Sequence, residues 1–239
     1  MDSKQIAQNY DRDGYWVAPE MFSQKECDDL KAEALRLMKE EAASMNSYTK
    51  KPTVFVGVAA ASPKYYKLAS DPRIIAVLTA IMPEGVMFMS DKFVFKSGEQ
   101  RFATPWHYDA AYWPNTRAKL SVWIALDDAT ADNGTLKVVR GSHRQDWEHK
   151  QSDMRQTNNE FVNQIDTTQW SPADEVICEI KRGGAIFFSD RTVHGSCENT
   201  AGLDRYAIIS TYHAPVAVEE EFDKSFKARH VIVPAPVPA

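Results

Sequence analysis

From Val86 onward the chain is written in short runs of β-branched and aromatic residues divided by turn signals, and this pattern restricts the fold more than any other feature. Leu120, Val122, Ile124 and Leu126 alternate with Ser121, Trp123 and Ala125, a period of two that suits a strand and not a helix. Val86 to Lys96 is rich in β-branched, aromatic and methionine side chains. Further strands are expected at Thr135 to Val139, Val176 to Ile180, Ala185 to Ser189 and Tyr206 to Tyr212. Asn133-Gly134, Arg182-Gly183-Gly184 and Asn199 to Gly202 stand between them as turns. Many short strands of this kind point to an antiparallel barrel or jelly roll.

The first 85 residues follow a different rule and read as helical. Ser23 with Glu26 forms a capping-box pattern ahead of Cys27, Leu30, Ala34 and Leu37 at helical spacing. Ser62-Pro63 and Asp71-Pro72 each read as an N-cap followed by proline at the first helical position. Pro83-Glu84-Gly85 stops the last helix. At 239 residues the chain is expected to form one domain, helical over 1–85 with a jelly-roll core over 86–214. Within that core, 144–175 is a long polar insertion, readable either as a solvated loop or as a lid over a site.

Charge and cysteine usage exclude several functions. Twenty-eight Lys and Arg against 33 Asp and Glu, interspersed, leave a formal charge of −5, so no nucleic-acid or anionic-membrane partner is expected. Three cysteines (Cys27, Cys178, Cys197) without a Cys-x-x-Cys pair speak against a disulfide framework or a thiolate zinc site. No apolar run approaches the roughly 20 residues of a membrane helix. Neither end reads as a targeting signal, so the expected location is cytoplasmic. Oligomeric state is not legible.

His107 and Asp109 carry the first chemical signal. In an extended segment, residues i and i+2 project to one side, so an imidazole and a carboxylate can meet one ion. His194, after the strand Ala185 to Ser189, is the candidate third ligand. Two histidines and one carboxylate form the facial triad of non-haem iron(II) oxygenases, which leaves coordination positions for a chelating co-substrate and dioxygen. Eleven residues after His194 comes Arg205. A hairpin closed at Asn199-Thr200 would set the two nearly opposite on paired strands. A fixed guanidinium suits the distal carboxylate of 2-oxoglutarate, and Ser196 can donate to the same group. Taken alone, Arg205 reads as an ordinary surface ion-pair partner, with Asp204 beside it.

The ordered set of motifs resembles the phytanoyl-CoA dioxygenase family of Fe(II)- and 2-oxoglutarate-dependent oxygenases. The matching stretches begin with Tyr10-Asp-Arg-Asp-Gly-Tyr-Trp-Val17, Phe22-Ser-Gln-Lys-Glu-Cys27 and Ser70-Asp-Pro-Arg-Ile74. They continue with Pro105-Trp-His-Tyr-Asp109 followed by Tyr112, and with Asn133-Gly134 leading to Arg140-Gly-Ser-His143. Gly183-Gly184 through Val193-His-Gly-Ser196 to Arg205 closes the set, so the resemblance runs from about residue 10 to about 214. It implies a double-stranded β-helix, a cupin-like jelly roll buttressed by N-terminal helices. His107, Asp109 and His194 are implied as iron ligands, and Arg205 and Ser196 as holders of the co-substrate. Trp123 falls where the family places an aromatic near the co-substrate, a place equally explained by core packing. Lys92 matches a further co-substrate position if it points inward, where it would need a partner. The alternative is that it points outward.

The resemblance further implies hydroxylation of an unactivated C–H bond of a small-molecule metabolite, with iron(II), 2-oxoglutarate and O2 consumed to give succinate and CO2. Desaturation, ring formation or oxidative demethylation share the first oxidation step. Halogenation is disfavoured, because the family's halogenating members lack the carboxylate that Asp109 supplies. Tyr108, Tyr112, Trp113 and Phe55 are the candidate substrate residues, with Phe55 to Val58 lying ahead of the barrel. Only Lys50-Lys51 and Arg140 with Arg144 hint at the basic patch a bulky phosphorylated thioester would need, which favours a compact free metabolite. Two different classes stay open: a zinc hydrolase on the same ligands, which has no use for Arg205, and a metal-free jelly roll that only binds a ligand.

Overall fold

The computed structural model describes residues 2–44, 54–99, 101–113, 116–151, 163–215 and 229–234. The Lys50-Lys51 pair and the middle of the polar insertion lie outside them. Helix α1 (Ser3–Asp13) is capped by Asp2, whose side chain accepts the Lys4 N–H. Helix α2 (Gln24–Ser44) starts from the expected capping box: the Ser23 N–H donates to the Glu26 carboxylate at 2.7 Å and the Glu26 N–H to Ser23 Oγ at 3.3 Å. After α3 (Val58–Ala61), α4 (Pro63–Leu68) and α5 (Pro72–Ile81) are capped by the Ser62 and Asp71 side chains, with proline in the first turn of each.

The N-terminal third is not wholly helical, however. Tyr15–Ala18 forms β1 and Val54–Val56 forms β2, and both join the main sheet. Four- and three-residue strands carry too few alternations to stand out locally; their partners, β9 and β3 below, lie far along the chain and supply the pairing that makes them strands.

Strands β3 (Val86–Lys96), β4 (Lys119–Ala125), β9 (Ala185–Ser189) and β11 (Arg205–His213) form the centre of the main antiparallel sheet, ordered β1-β9-β4-β11-β3. At the far edge β12 (His230–Val233) and β2 both pair with β3. A smaller sheet holds β10 (His194–Ser196), β5 (Leu136–Val139) and β8 (Glu175–Ile177) in that order. A two-stranded ribbon, β6 (His149–Gln151) with β7 (Asn163–Ile165), completes the strands among the described residues.

All seven residues of β4 are buried, and the period of two sorts them between two cores. Leu120, Val122 and Ile124 pack with Leu30, Tyr65, Ile74, Leu78 and Phe187 between the sheet and the helices. Trp123 and Ala125 face the other way, with Leu136, Val138, Ile186 and Phe188 between the two sheets. A sheet covered on both faces buries apolar surface twice, at about 25 cal/mol per Å². The result is the jelly roll buttressed by helices that the pattern implied.

One local expectation fails. His194 and Arg205 do not sit on paired strands: β10 pairs with β5, whereas β11 pairs with β3 and β4. Asn199 bridges Asn133 and its amide donates to Leu203 O at 2.6 Å, so the connection carries the chain from one sheet to the other instead of folding it back as a hairpin. Both residues still reach one space, because each faces the gap between the sheets.

Candidate metal centre

His107 and His194 are brought together by backbone pairing. The His107 N–H donates to His194 O at 2.9 Å and the His194 N–H to His107 O at 2.8 Å, an isolated antiparallel bridge that places the ring centroids 4.3 Å apart. Asp109 opens a 3₁₀ turn, Asp109–Tyr112, fixed by the Ala110 N–H donating to Asp190 O at 2.9 Å. Its Oδ1 stands 3.7 Å from His107 Nε2 and 3.9 Å from His194 Nε2. One ligand atom from each of the three residues falls within 4.8 Å of the others.

The donor set fits a divalent ion. His107 Nδ1 lies 2.8 Å from Pro105 O and His194 Nδ1 2.9 Å from Thr192 O. A carbonyl accepts only from N–H, so each Nδ1 carries the proton and each Nε2 offers its lone pair inward. Burial pulls His107 down to about 3, and burial likewise lowers His194, so both rings are neutral at neutral pH. Burial alone would raise the Asp109 carboxyl, but His194, Lys92 and His107 outweigh it and hold it below the usual range. Two neutral imidazoles and an ionised carboxylate, each protonated as a ligand should be, stand ready for the metal.

A cavity of about 140 Å³ extends from the triad between the sheets. Its walls include Val94, Leu136, Phe188 and Ile209, and its far end holds Arg205, Ser196 and Lys96. Arg205 is 3% exposed; its Nη2 donates to Gly134 O at 2.8 Å, while Nε and Nη1 are buried without any acceptor. The guanidinium lies 5.2 Å from the ring centroid of Trp123, which also lines the cavity. Burial pulls Arg205 down to about 10, opposed by Asp127. Ser196 Oγ accepts the Thr104 N–H at 3.0 Å, which leaves its own proton to donate elsewhere.

Lys92 lines the cavity, which settles its direction as inward. It sits at the metal end, with its charge felt by His107, Asp109 and His194, and not beside Arg205. The place beside Arg205 belongs to Lys96, directly opposite it in the β11–β3 register and 4% exposed. Lys96 donates to Phe102 O at 2.6 Å and to Cys197 O, with no carboxylate bonded to it. Burial and the neighbouring Arg205 pull its ammonium down to about 7. Gly134 makes room for it: φ is +88°, and a Cβ there would run into the Lys96 stem. Sequence reasoning passed over Lys96, although residues 92, 94 and 96 share one face of a strand and an inward Lys92 entails an inward Lys96.

The candidate substrate residues separate. Phe55 packs on the helix-side core opposite Phe93, and Val54, one residue earlier, lines the cavity instead; the strand's period of two accounts for the difference. Tyr108 and Trp113 are not cavity-lining: the Tyr108 ring lies tilted against His149 with centroids 4.6 Å apart, and the Trp113 ring lies 5.2 Å from Lys119 Nζ. Tyr112 does not line the cavity either; its ring lies 6.2 Å from that of His107 and its hydroxyl 3.4 Å from Asn163 O on β7. The described ends of the polar insertion are packed there. Trp147, Ile165 and Trp170 cluster with Trp106, next to the first metal ligand.

A His-x-Asp…His triad on a jelly roll, with an unmet guanidinium in the same cavity, defines an iron- and 2-oxoglutarate-dependent dioxygenase. The family model described as phytanoyl-CoA dioxygenase matches residues 10–207, and the chain belongs to that family. It is 27% identical over 233 residues to an ectoine dioxygenase of Bordetella bronchiseptica, covering 87% of this chain and 74% of the relative. An L-proline trans-4-hydroxylase of Streptomyces griseoviridis is 23% identical over 165 residues, with 62% of each chain covered. A crystal structure of EctD from S. alaskensis with 2-oxoglutarate and 5-hydroxyectoine superposes with a TM-score of 0.71 at 25% identity, covering 90% of this chain and 76% of that one.

Proposed function

We propose that the protein hydroxylates an unactivated C–H bond of a compact small-molecule metabolite, using 2-oxoglutarate and O2 and releasing succinate and CO2. The observation that carries this reading is Arg205, whose two unmet buried donors share a cavity with a metal-ready triad. An isolated buried cation is costly unless a ligand meets it. A zinc hydrolase would leave Arg205 and Lys96 without use.

His107 Nε2, His194 Nε2 and an Asp109 oxygen hold iron(II), which supplies activation of dioxygen and oxidation of the C–H bond. The chain's own residues do the rest. The Pro105 and Thr192 carbonyls fix the two rings in the ligating tautomer. Arg205, Ser196 and Lys96 take the distal carboxylate of the co-substrate, with Trp123 alongside the guanidinium. Val94, Leu136, Phe188 and Ile209 keep water from the methylene segment between them. The described ends of the insertion, through the Tyr112–Asn163 contact and the Trp106–Trp147–Trp170 cluster, pack beside the metal side and serve as the base of a lid. The names of the relatives, an ectoine dioxygenase and a proline hydroxylase, support a compact substrate and hydroxylation over the desaturating and ring-forming outcomes.

The test is anaerobic titration of the Fe(II)-loaded protein with 2-oxoglutarate, followed by visible absorbance. A saturable charge-transfer band is expected, absent in His194→Ala and shifted to much higher 2-oxoglutarate concentration in Arg205→Ala. Folded protein carrying stoichiometric iron and giving no band overturns the reading.

A further inference from the structure

We propose that Lys92 anchors an anionic group of the substrate, and that the substrate is therefore a small organic acid carrying a carboxylate or a comparable oxyanion. This rests on the functional reading above and specifies its substrate class.

The first ground is charge. The cavity walls carry three cationic side chains, Lys92, Lys96 and Arg205, against one carboxylate, Asp109. A divalent ion and a doubly charged co-substrate cancel each other, so the surplus of positive charge remains when both are bound. Burying such a surplus is unfavourable unless another anion enters. The second ground is position. Lys92 and Lys96 are four residues apart on β3, about 13 Å along the strand, while the two carboxylate carbons of 2-oxoglutarate are only about 5 Å apart when extended. With the distal carboxylate at Arg205 and Lys96, the co-substrate is accounted for at that end, and Lys92 is left at the other. It lines the cavity together with all three metal ligands, His107, Asp109 and His194, where a reacting C–H bond must stand.

The third ground is vacancy. Among the described residues the Lys92 ammonium makes no hydrogen bond or ion pair, whereas Lys96 donates to two carbonyls and Arg205 to one. A half-buried lysine in a cavity wall whose ammonium has no hydrogen-bond or ion-pair partner is a receptor, and its flexible stem and point charge suit a single oxyanion. Such an anchor orients the substrate, so Lys92 acts on which molecule is oxidised and at which carbon.

The experiment uses the anaerobic wild-type protein loaded with Fe(II) and 2-oxoglutarate, and reads the perturbation of its charge-transfer band. The probes are matched acids and primary amides: L-proline and L-prolinamide, cyclopentanecarboxylate and its amide, butyrate and butyramide. At least one acid is expected to shift the band saturably and about tenfold more tightly than its amide. Lys92→Met should erase that preference, Lys92→Arg should keep it, and both should bind 2-oxoglutarate within about threefold of wild type. The unchanged co-substrate affinity also reports that the variants are folded. No acid outranking its amide, a preference that survives in Lys92→Met, or a 2-oxoglutarate affinity lost with Lys92 each overturns the proposal. A wild-type protein without the band, before any probe is added, overturns the functional reading itself.

Discussion

Replacing Arg205 by Met separates a ligand-binding guanidinium from a structural one, because the two roles move stability in opposite directions. In the ligand-free protein Arg205 is buried with Nε and Nη1 unmet, each of which disfavours the folded state by about 1–3 kcal/mol. Against this stand one hydrogen bond to Gly134 O and the Trp123 face, together worth about 2–4 kcal/mol. The ligand-free variant should therefore unfold within a few degrees of wild type or above it. With 2-oxoglutarate the balance changes. Truncating one partner of a buried charge pair costs about 2–5 kcal/mol of binding, roughly 30-fold to several thousand-fold in Kd.

Thermal unfolding of the metal-loaded protein, with and without 2-oxoglutarate, reads both quantities. At a ligand concentration 100 times the wild-type Kd, mass action adds about 2.7 kcal/mol, or roughly 5–11 °C for a domain of this size. In Arg205→Met the same concentration should add almost nothing. If the ligand-free variant melts about 10 °C or more below wild type and 2-oxoglutarate still raises its Tm as much as in wild type, Arg205 is a structural residue and the reasoning is wrong.

Four further outcomes follow from the same geometry. Lys96 is pulled down to about 7, so it must take up a proton to meet a carboxylate above that pH; 2-oxoglutarate affinity should hold steady below about pH 6.5 and weaken above pH 7, by up to about tenfold per unit, and Lys96→Met should flatten the profile. The same depressed value means the unfolded chain holds more protons above pH 7, so this residue makes the ligand-free fold more stable as pH rises from about 7 toward about 10, which denaturant titrations of the two proteins would show. Gly134→Ala places a Cβ at φ +88° against the Lys96 stem; a loss of about 1–3 kcal/mol in urea unfolding is expected together with weaker co-substrate binding, and a loss of stability alone would disconnect Gly134 from the site. Trp147→Ala removes the ring that packs on Trp170 and should cost about 3–5 kcal/mol while increasing succinate released without substrate oxidation; unchanged coupling would count against the lid.

How far the site was legible depended on how far each contact travels along the chain. The capping residues Ser23, Ser62 and Asp71 act within a few positions and read directly. The long strands also read directly, β4 from its period of two and β3 from its run of β-branched, aromatic and methionine residues. The short strands β1 and β2 did not, because distant partners create them. The His194–Arg205 hairpin was misread for a related reason: a turn between two strands is the same whether they pair or part, and only Val138 opposite His194 and Lys96 opposite Arg205 show that they part.

Lys96 makes the sharpest case. At the end of a strand, before Ser97 and Gly98, it reads as an ordinary solvated lysine, and the carbonyls of Phe102 and Cys197 that bury it cannot be read from its neighbours in sequence. Yet strand parity joins it to Lys92, so the question of whether Lys92 points inward was always a question about two lysines. An inward face carrying Lys92 and Lys96 opposite Arg205 holds more positive charge than one dicarboxylate needs once the metal is counted. That surplus is a property of the row and not of either residue. It is why the cavity calls for a second anion, and why the substrate's own charge, more than its shape, is the feature the chain specifies.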